Sequence, residues 1–269
     1  FKHLHLDFHS VPGLELVERL QHFNSVDPHA QIAIQLLRTW DGQLSPESAG
    51  GAVYEVVRYT LVRKILEPAL GKELADVFMG KGFHELLYHS HEFHGHDTVV
   101  MLRLLDIPGS WWIKQAGGRG KLLEDSLRDA VKWLQKELGK DTSKWQWGKL
   151  HCVNFPHAMA LQKPLDRVFN RGPYPIGGDN DTVCQTAFFP QDMYDAKAWA
   201  PSHRQIIDLG DLSKSLMIYA PGQSGHLGSK HYDDLIEIWQ KGDFHPMFWT
   251  KEQIEANAEG KLELRPQKS

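Results

Sequence analysis

Near Lys144 the chain stops placing apolar residues at helical spacing and begins short apolar or alternating runs. A 3.6-residue period needs a helix to bury its stripe, and a short alternating run needs a pairing strand. The change of period therefore constrains the fold to α+β, with a helical first half and a strand-rich second half. The expected division is 1–143, mainly helical, and 144–269, strand-rich with C-terminal helices. No linker-like tract separates them, so the two parts are expected to share one core.

In the first half, Leu14, Leu16, Val17 and Leu20 follow Pro12-Gly13 at rough helical spacing. Asp27-Pro28 is an N-cap followed by proline at the first helical position, ahead of Ile32, Ile34, Leu36 and Leu37. Ser45-Pro46 repeats that signal before Val53, Val56, Val57, Tyr59, Leu61, Ile65 and Leu66, and Pro68 is expected to stop the helix. A further helix is predicted over 120–138, with Gly139 as its C-terminal cap. In the second half, strands are predicted at 150–155, 182–188, 202–209 and 215–220. They are separated by turn clusters such as Gly172-Pro173, Gly177-Gly178-Asp179-Asn180-Asp181 and Pro221-Gly222. The 202–209 and 215–220 runs are expected to pair as a hairpin. Helix returns at 232–239 and at 250–258, where Thr250 and Gln253 form a capping box.

Composition narrows the function classes. Thirty Lys+Arg against 34 Asp+Glu give a formal charge of -4, so no basic excess exists to grip nucleic acid. No apolar run reaches the roughly 18 residues that span a bilayer. The two cysteines, Cys152 and Cys184, exclude a disulfide framework and a four-Cys zinc site. One disulfide between them and two buried thiols are the remaining options. The chain begins at Phe1 with no targeting signal, and it reads as a piece of something longer.

Three local features could carry chemistry. His84, His89, His91, His94 and His96 are interleaved with Glu85, Glu92 and Asp97. Imidazole and carboxylate suit zinc, with His89, His91, His94 and His96 the candidate ligands, but the spacing matches no metal template, and a polar surface is the plainer reading. The 177–182 turn is neither a Walker loop nor an EF-hand. Positive φ at Gly178, with Asp179 and Asp181 bonding local N–H groups, explains it better than an ion. Trp111-Trp112, Trp145 and Trp147 read as core or boundary packing rather than a ligand platform. On these residues alone, a non-catalytic binding module with a metal- or partner-binding cluster at 84–96 stays open.

Several ordered segments together resemble the penicillin acylase (penicillin amidase) family. Trp147-Gly148-Lys149-Leu150-His151 with Phe155-Pro156-His157 resembles its Trp-Gly-x-x-His … His pattern. Gly177-Gly178-Asp179-x-Asp181-Thr182-Val183 is similar to its Gly-Gly-Asp-x-x-Thr-Val turn. Pro201-Ser202-x-Arg204, Pro221-Gly222-Gln223-Ser224-Gly225, His231-Tyr232-Asp233-Asp234 and Met247-Phe248-Trp249-Thr250 match further segments. In the first half, Leu37-x-x-Trp40-Asp41-Gly42 fits. The resemblance is dense from Trp147 onward and sparse between Leu70 and Ser143.

The resemblance implies the C-terminal portion of an αββα N-terminal-nucleophile hydrolase sandwich. In that family a Ser freed by autocatalytic cleavage attacks the amide, and its own α-amine, titrating near pH 8, takes the hydroxyl proton. The implied activity is cleavage of linear amides, penicillin or other N-acyl compounds, through an acyl-enzyme. Phe1 cannot be that nucleophile, and the family's oxyanion Asn and calcium ligands fall upstream of where this sequence aligns. The chain alone is therefore expected to be inactive, with no cofactor of its own and calcium a feature of the complete enzyme. Its expected partners are the missing N-terminal segments or chain of the same precursor and a small-molecule amide substrate, with neither nucleic acid nor a membrane span. Exported relatives imply a periplasmic or secreted protein. Asp208 is the one candidate positioning residue, by analogy with a late carboxylate that orients a His in the cephalosporin-acylase branch; the alternative is a structural strand-end Asp.

Overall fold

The structure, a computed structural model, describes residues 1–81, 96–197 and 199–266. The chain is mixed helix and sheet, and it packs as two compact units: Leu6–Pro201, and Phe1–His5 with Ser202–Ser269. The larger unit runs past Lys144 to residue 201, and aromatic residues after Lys144 belong to its core. Trp145, Trp147, Phe188 and Tyr194 are buried in the same core as the helices.

In the larger unit, α1 (Val11–Leu20) is capped by the Ser10 hydroxyl, which accepts from Gly13 N. α2 (Pro28–Arg38) begins as expected, with Asp27 accepting from His29 N and Ala30 N. α3 (Ala49–Phe78) is the central helix and is buried on almost every side from Gly51 to Leu66. A helix apolar all round belongs in a core, and each Val, Leu or Ile enclosed there contributes about 1.5–3 kcal/mol over an exposed one. Its cap is Ser48, three residues beyond the predicted Ser45. Pro68 does not end it. The chain stays helical to Gly71, whose φ of 73° breaks the run, and then resumes to Phe78. A proline removes one ladder bond; a left-handed glycine reverses the chain's course.

α4 (Asp97–Asp106), α5 (Trp111–Gln115) and α6 (Arg119–Leu138) complete the helical layer. The stripe of Leu123, Leu127, Ala130, Val131 and Leu134 on α6 packs against α2 and α3. After Lys144 come β1 (Cys152–Phe155), a short α7 (Asp166–Phe169) and β2 (Arg171–Pro175). β1 and β2 pair antiparallel, Cys152 opposite Pro175 and Val153 opposite Tyr174. Gly172-Pro173, predicted as a separator, therefore lies inside a strand, where a two-stranded ribbon tolerates the missing N–H. The predicted strand at 182–188 is absent, as explained below.

In the smaller unit, β3 (His203–Ile206), β4 (Leu216–Tyr219) and β5 (His245–Pro246) form one antiparallel sheet in that order. The predicted hairpin is present, with Arg204 opposite Ile218. Helix α8 covers only Ile236–Gln240, shorter than predicted, because 226–235 is a series of turns. α9 (Lys251–Asn257) carries the full Thr250–Gln253 capping box. Among the described residues no helix is long and apolar enough to cross a membrane.

Candidate functional site

The Gly177 turn lies at the centre of a buried polar cluster within the larger unit. Gly178 has φ 88°, and a side chain there would overlap Cys184 O and crowd the Thr182 and Thr186 hydroxyls. The following residues then satisfy one another through side chains. Asp179 N donates to Thr182 Oγ1 (2.9 Å) and Asp181 N to Asp179 Oδ1 (2.8 Å). Asn180 mimics a paired strand, its Oδ1 accepting from Phe188 N and its Nδ2 donating to Phe188 O. Side chains that answer the backbone locally compete with a ladder. This is why 182–188 runs irregularly rather than as a strand.

Trp147 and His151, one helical turn apart in the sequence, lock the turn from the other side. Their rings stack at 4.5 Å and 12°. Trp147 Nε1 donates to Gly178 O (2.9 Å). Burial pushes the His151 ring down to about 4, so it is neutral at pH 7. Its Nδ1–H donates to Tyr194 O (2.6 Å), and its Nε2 faces the Thr186 hydroxyl (2.9 Å). That hydroxyl also lies 2.7 Å from Gly177 O, so its one proton is divided between two acceptors.

Arg58 of α3 is the cation of the cluster. Its Nη2 and Nε donate to Glu55 Oε2 (2.8 and 3.1 Å), and its Nη1 donates to Asp97 Oδ2 (3.3 Å) and Thr98 Oγ1 (3.2 Å). The Thr98 hydroxyl donates to Asp181 Oδ2 (2.7 Å), which ties α4 to the turn. The guanidinium also lies over the Phe188 ring at 5.3 Å. Arg58, Glu55, Asp97 and Asp179 are each 3% exposed or less. Four carboxyls, with Asp181, thus surround one guanidinium.

That imbalance decides the protonation. Burial, and then Asp179, push Asp181 up to about 7. Burial also raises Glu55 well above the usual carboxylate range; Arg58 opposes this, while the facing Asp179 reinforces it. Glu55 Oε1 and Asp179 Oδ2 are both buried, and neither has a hydrogen-bond partner among the described residues. Burial and a like charge nearby both favour the protonated form of Glu55. Burial works against charge on Arg58 too, but Glu55 and Asp97 outweigh it and keep it protonated.

The sequence-predicted residues fall as follows. Asp179 caps the turn as expected. Asp181 does not: it turns into the cluster and takes the Thr98 hydroxyl. His89, His91 and His94 lie outside the described residues, as does most of the 84–96 cluster. His96 is the residue before α4. Asp97, grouped with those histidines by spacing, instead bonds Arg58. Among the described residues no three His, Cys, Asp or Glu side chains are placed to hold a metal. Asp208 lies past β3, where its Oδ1 accepts from Gly210 N (2.9 Å) and Asp211 N (3.1 Å). Cys152 and Cys184 remain thiols; Cys152 Sγ donates to Gly148 O. Trp145 and Trp147 are wholly buried, as core packing requires, while Trp111 is 56% exposed.

Sequence reasoning missed Glu55, Arg58 and Thr98. The signal was present for the first two. They stand three apart inside Val53–Val57 and Tyr59–Leu61, a stretch apolar on all sides, where charges survive only as a pair.

The penicillin amidase pattern matches residues 1–256. An acyl-homoserine lactone acylase, QuiP, of Pseudomonas syringae pv. syringae (strain B728a) is 31% identical over 220 residues, covering 80% of this chain and 26% of the relative. The penicillin acylase 2 proenzyme of Pseudomonas sp. (strain SE83) is 28% identical over 239 residues, covering 86% and 28%. The chain thus spans about a quarter of the length of the curated relatives it matches. The thermostable penicillin G acylase of Alcaligenes faecalis superposes on 98% of this chain, using 48% of its own, with TM-score 0.54 and 16% identity. That likeness speaks for the fold, and the match over nearly the whole sequence speaks for descent: the chain belongs to the penicillin amidase family.

Proposed function

We propose that this chain is the C-terminal part of an acylase that hydrolyses the amide of an N-acyl compound, an acyl-homoserine lactone or a penicillin. The observation that carries the reading is the family match over residues 1–256, together with relatives named as acylases. In the complete enzyme the nucleophilic Ser, its α-amine and the oxyanion donors come from upstream segments of the same precursor. This chain supplies part of the αββα sandwich. Calcium, where the complete enzyme takes it, belongs to those upstream segments as well. The described carboxylates here do not fit an ion: Asp179 and Asp181 are committed to the turn and to Thr98.

The Arg58 cluster serves this function by position rather than by chemistry. Its members are enclosed, so none reaches a substrate, but they fix α3, α4 and the Gly177 turn against one another. A nucleophile carried on another segment needs such a rigid counterpart, since small misplacements cost large rate factors.

The test is a comparison of the 269-residue chain with the complete precursor. Hydrolysis of an N-acyl-homoserine lactone and of a phenylacetylated chromogenic amide is measured for both. Turnover is expected from the processed precursor alone. Turnover by the 269-residue chain above a heat-killed control, or none from the precursor on any N-acyl amide, overturns the reading.

A further inference from the structure

Away from the Arg58 cluster, the far end of α4 meets α5 and the start of α6. The three line a solvent-open pocket of about 530 Å³, whose wall includes Ile107, Gly109, Ser110, Lys114, Gly118 and Arg119. Every one of these residues belongs to the larger unit. The wall combines a helix terminus, two cations and an uncommitted hydroxyl.

The helix terminus is that of α6, 20 residues long. Its N-cap is Gly118, which offers no side-chain oxygen, and its first turn holds no acidic residue. Gly118 N is taken by Ile113 O and the first intrahelical bond is Leu122 N to Gly118 O, so the N–H groups of Arg119, Gly120 and Lys121 are left for an outside acceptor. The space before them is open: a side chain built on Gly118 or Gly120 would meet nothing within 4 Å. The positive end of a helix with open donors favours an anion.

The cations are Lys114 and Arg119. The wall also holds a carboxylate, Asp106, which Arg19 takes in a fork, Nε to Oδ1 (3.0 Å) and Nη2 to Oδ2 (2.6 Å), and whose charge Arg119 also feels. Arg119 itself makes one long bond, Nη2 to Arg19 O at 3.4 Å. The hydroxyl is that of Ser110, a residue only 7% exposed. It occupies the N-cap of α5 yet makes no capping bond, although Ser at that position ordinarily bonds its own helix. Among the described residues its oxygen has no partner, and it lies in the cavity wall.

We propose that this cavity binds a tetrahedral oxyanion, the phosphate group of a small molecule. The first-turn N–H groups of α6 and the Ser110 hydroxyl donate to its oxygens, and Lys114 and Arg119 balance its charge. A dianion is matched here to two cations, and charge-assisted bonds of this kind are the strong ones. The site is independent of the acylase reading, since none of its residues belongs to the Arg58 cluster.

The experiment is calorimetric titration of the 269-residue chain with inorganic phosphate at fixed ionic strength, with sulfate, acetate and glycerol phosphate as parallel arms. Saturable one-to-one binding of phosphate is expected, with acetate weaker. Lys114→Glu, at an exposed position, should weaken binding by about tenfold or more, and Ser110→Ala should weaken it less. Lys144→Gln, outside the cavity, should leave it unchanged. Tighter binding of glycerol phosphate than of inorganic phosphate assigns the site to an organic phosphate; the reverse assigns it to the free ion. Absence of saturable phosphate binding, or binding unchanged in both Lys114→Glu and Ser110→Ala, overturns the proposal. Circular dichroism on each variant separates lost binding from lost folding.

Discussion

Two arginines are buried to nearly the same degree, one in each unit, and their surroundings differ. Arg58, 1% exposed, is met by carboxylates from α3 and α4. Arg204, 3% exposed, donates to Trp239 O (2.7 Å) and lies 4.9 Å over the ring of the same residue. The first is ringed by carboxyls; the second has a carbonyl and a π face among its partners. A carbonyl and a ring face both favour a guanidinium, but a ring of carboxyls also makes the protonation of its members interdependent. In the larger unit the charges form a network in which each member's protonation depends on the rest. In the smaller unit the aliphatic stem of the arginine is buried with its head against Trp239.

The largest effect should come from removing the cation of the network. Arg58→Leu strands four buried carboxyls, and breaking a buried pair this way costs about 3–5 kcal/mol. Urea unfolding should show that loss, and part of it should return in the double variant Arg58→Leu/Glu55→Leu, which removes one of the four carboxyls and leaves Asp97, Asp179 and Asp181 without their cation. If the single variant loses less than about 1 kcal/mol, the network is not what holds α3 to α4, and the contrast with Arg204 disappears.

Gly178→Ala attacks the same region through the backbone. The position needs φ 88°, and the added carbon overlaps Cys184 O. Strain and overpacking together should cost about 3 kcal/mol. The loss should be read by the same unfolding assay. Arg204→Met keeps the stem and gives up the Trp239 carbonyl bond and the ring contact, which together contribute about 1–2 kcal/mol. An Arg204 loss equal to that of Arg58 would mean that the two arginines are held equally strongly.

The difference between the regions also governs what the sequence disclosed. Helix starts at Asp27 and Thr250, the stripe of α6 and the β3–β4 hairpin follow from local rules, and they were legible. Gly178's conformation was legible because a Gly-Gly-Asp-x-Asp turn has few other uses. What failed was non-local. The 182–188 run has a strand's composition, but Thr182, Thr186 and Asn180 satisfy its backbone in place of a partner strand. Pro68 looked like a stop because local rules do not weigh the packing that surrounds α3 on all sides. The Arg58 cluster was hidden because its carboxyls come from positions 55, 97, 179 and 181, which only the fold unites.

The smallest effect is also the one that most sharply divides the regions, because it depends on pH. Asp181 faces Asp179, Arg58, Asp97 and the Thr98 hydroxyl, and its carboxyl is pushed up to about 7 by burial and then by Asp179. An unfolded Asp titrates near 3.9, so the folded state holds this proton more tightly than the unfolded one. The sign follows from that order. The contribution is present in full below the unfolded value and is lost as pH rises through about 7. The parent should therefore melt lower at pH 8 than at pH 6. Asp181→Asn keeps an oxygen for the Thr98 hydroxyl and places an amide beside the remaining carboxyls, so its melting temperature should change less over that interval and exceed the parent's at pH 8. Glu55→Gln should act in the same direction, since Glu55 is also raised. Calcium and chelator should leave both proteins' melts unchanged, because the proton rather than a metal offsets the excess charge. A calcium-dependent rise in the parent that Asp181→Asn abolishes would replace the proton on Asp181 with an ion, and Arg58 would then be one of two cations in its cluster.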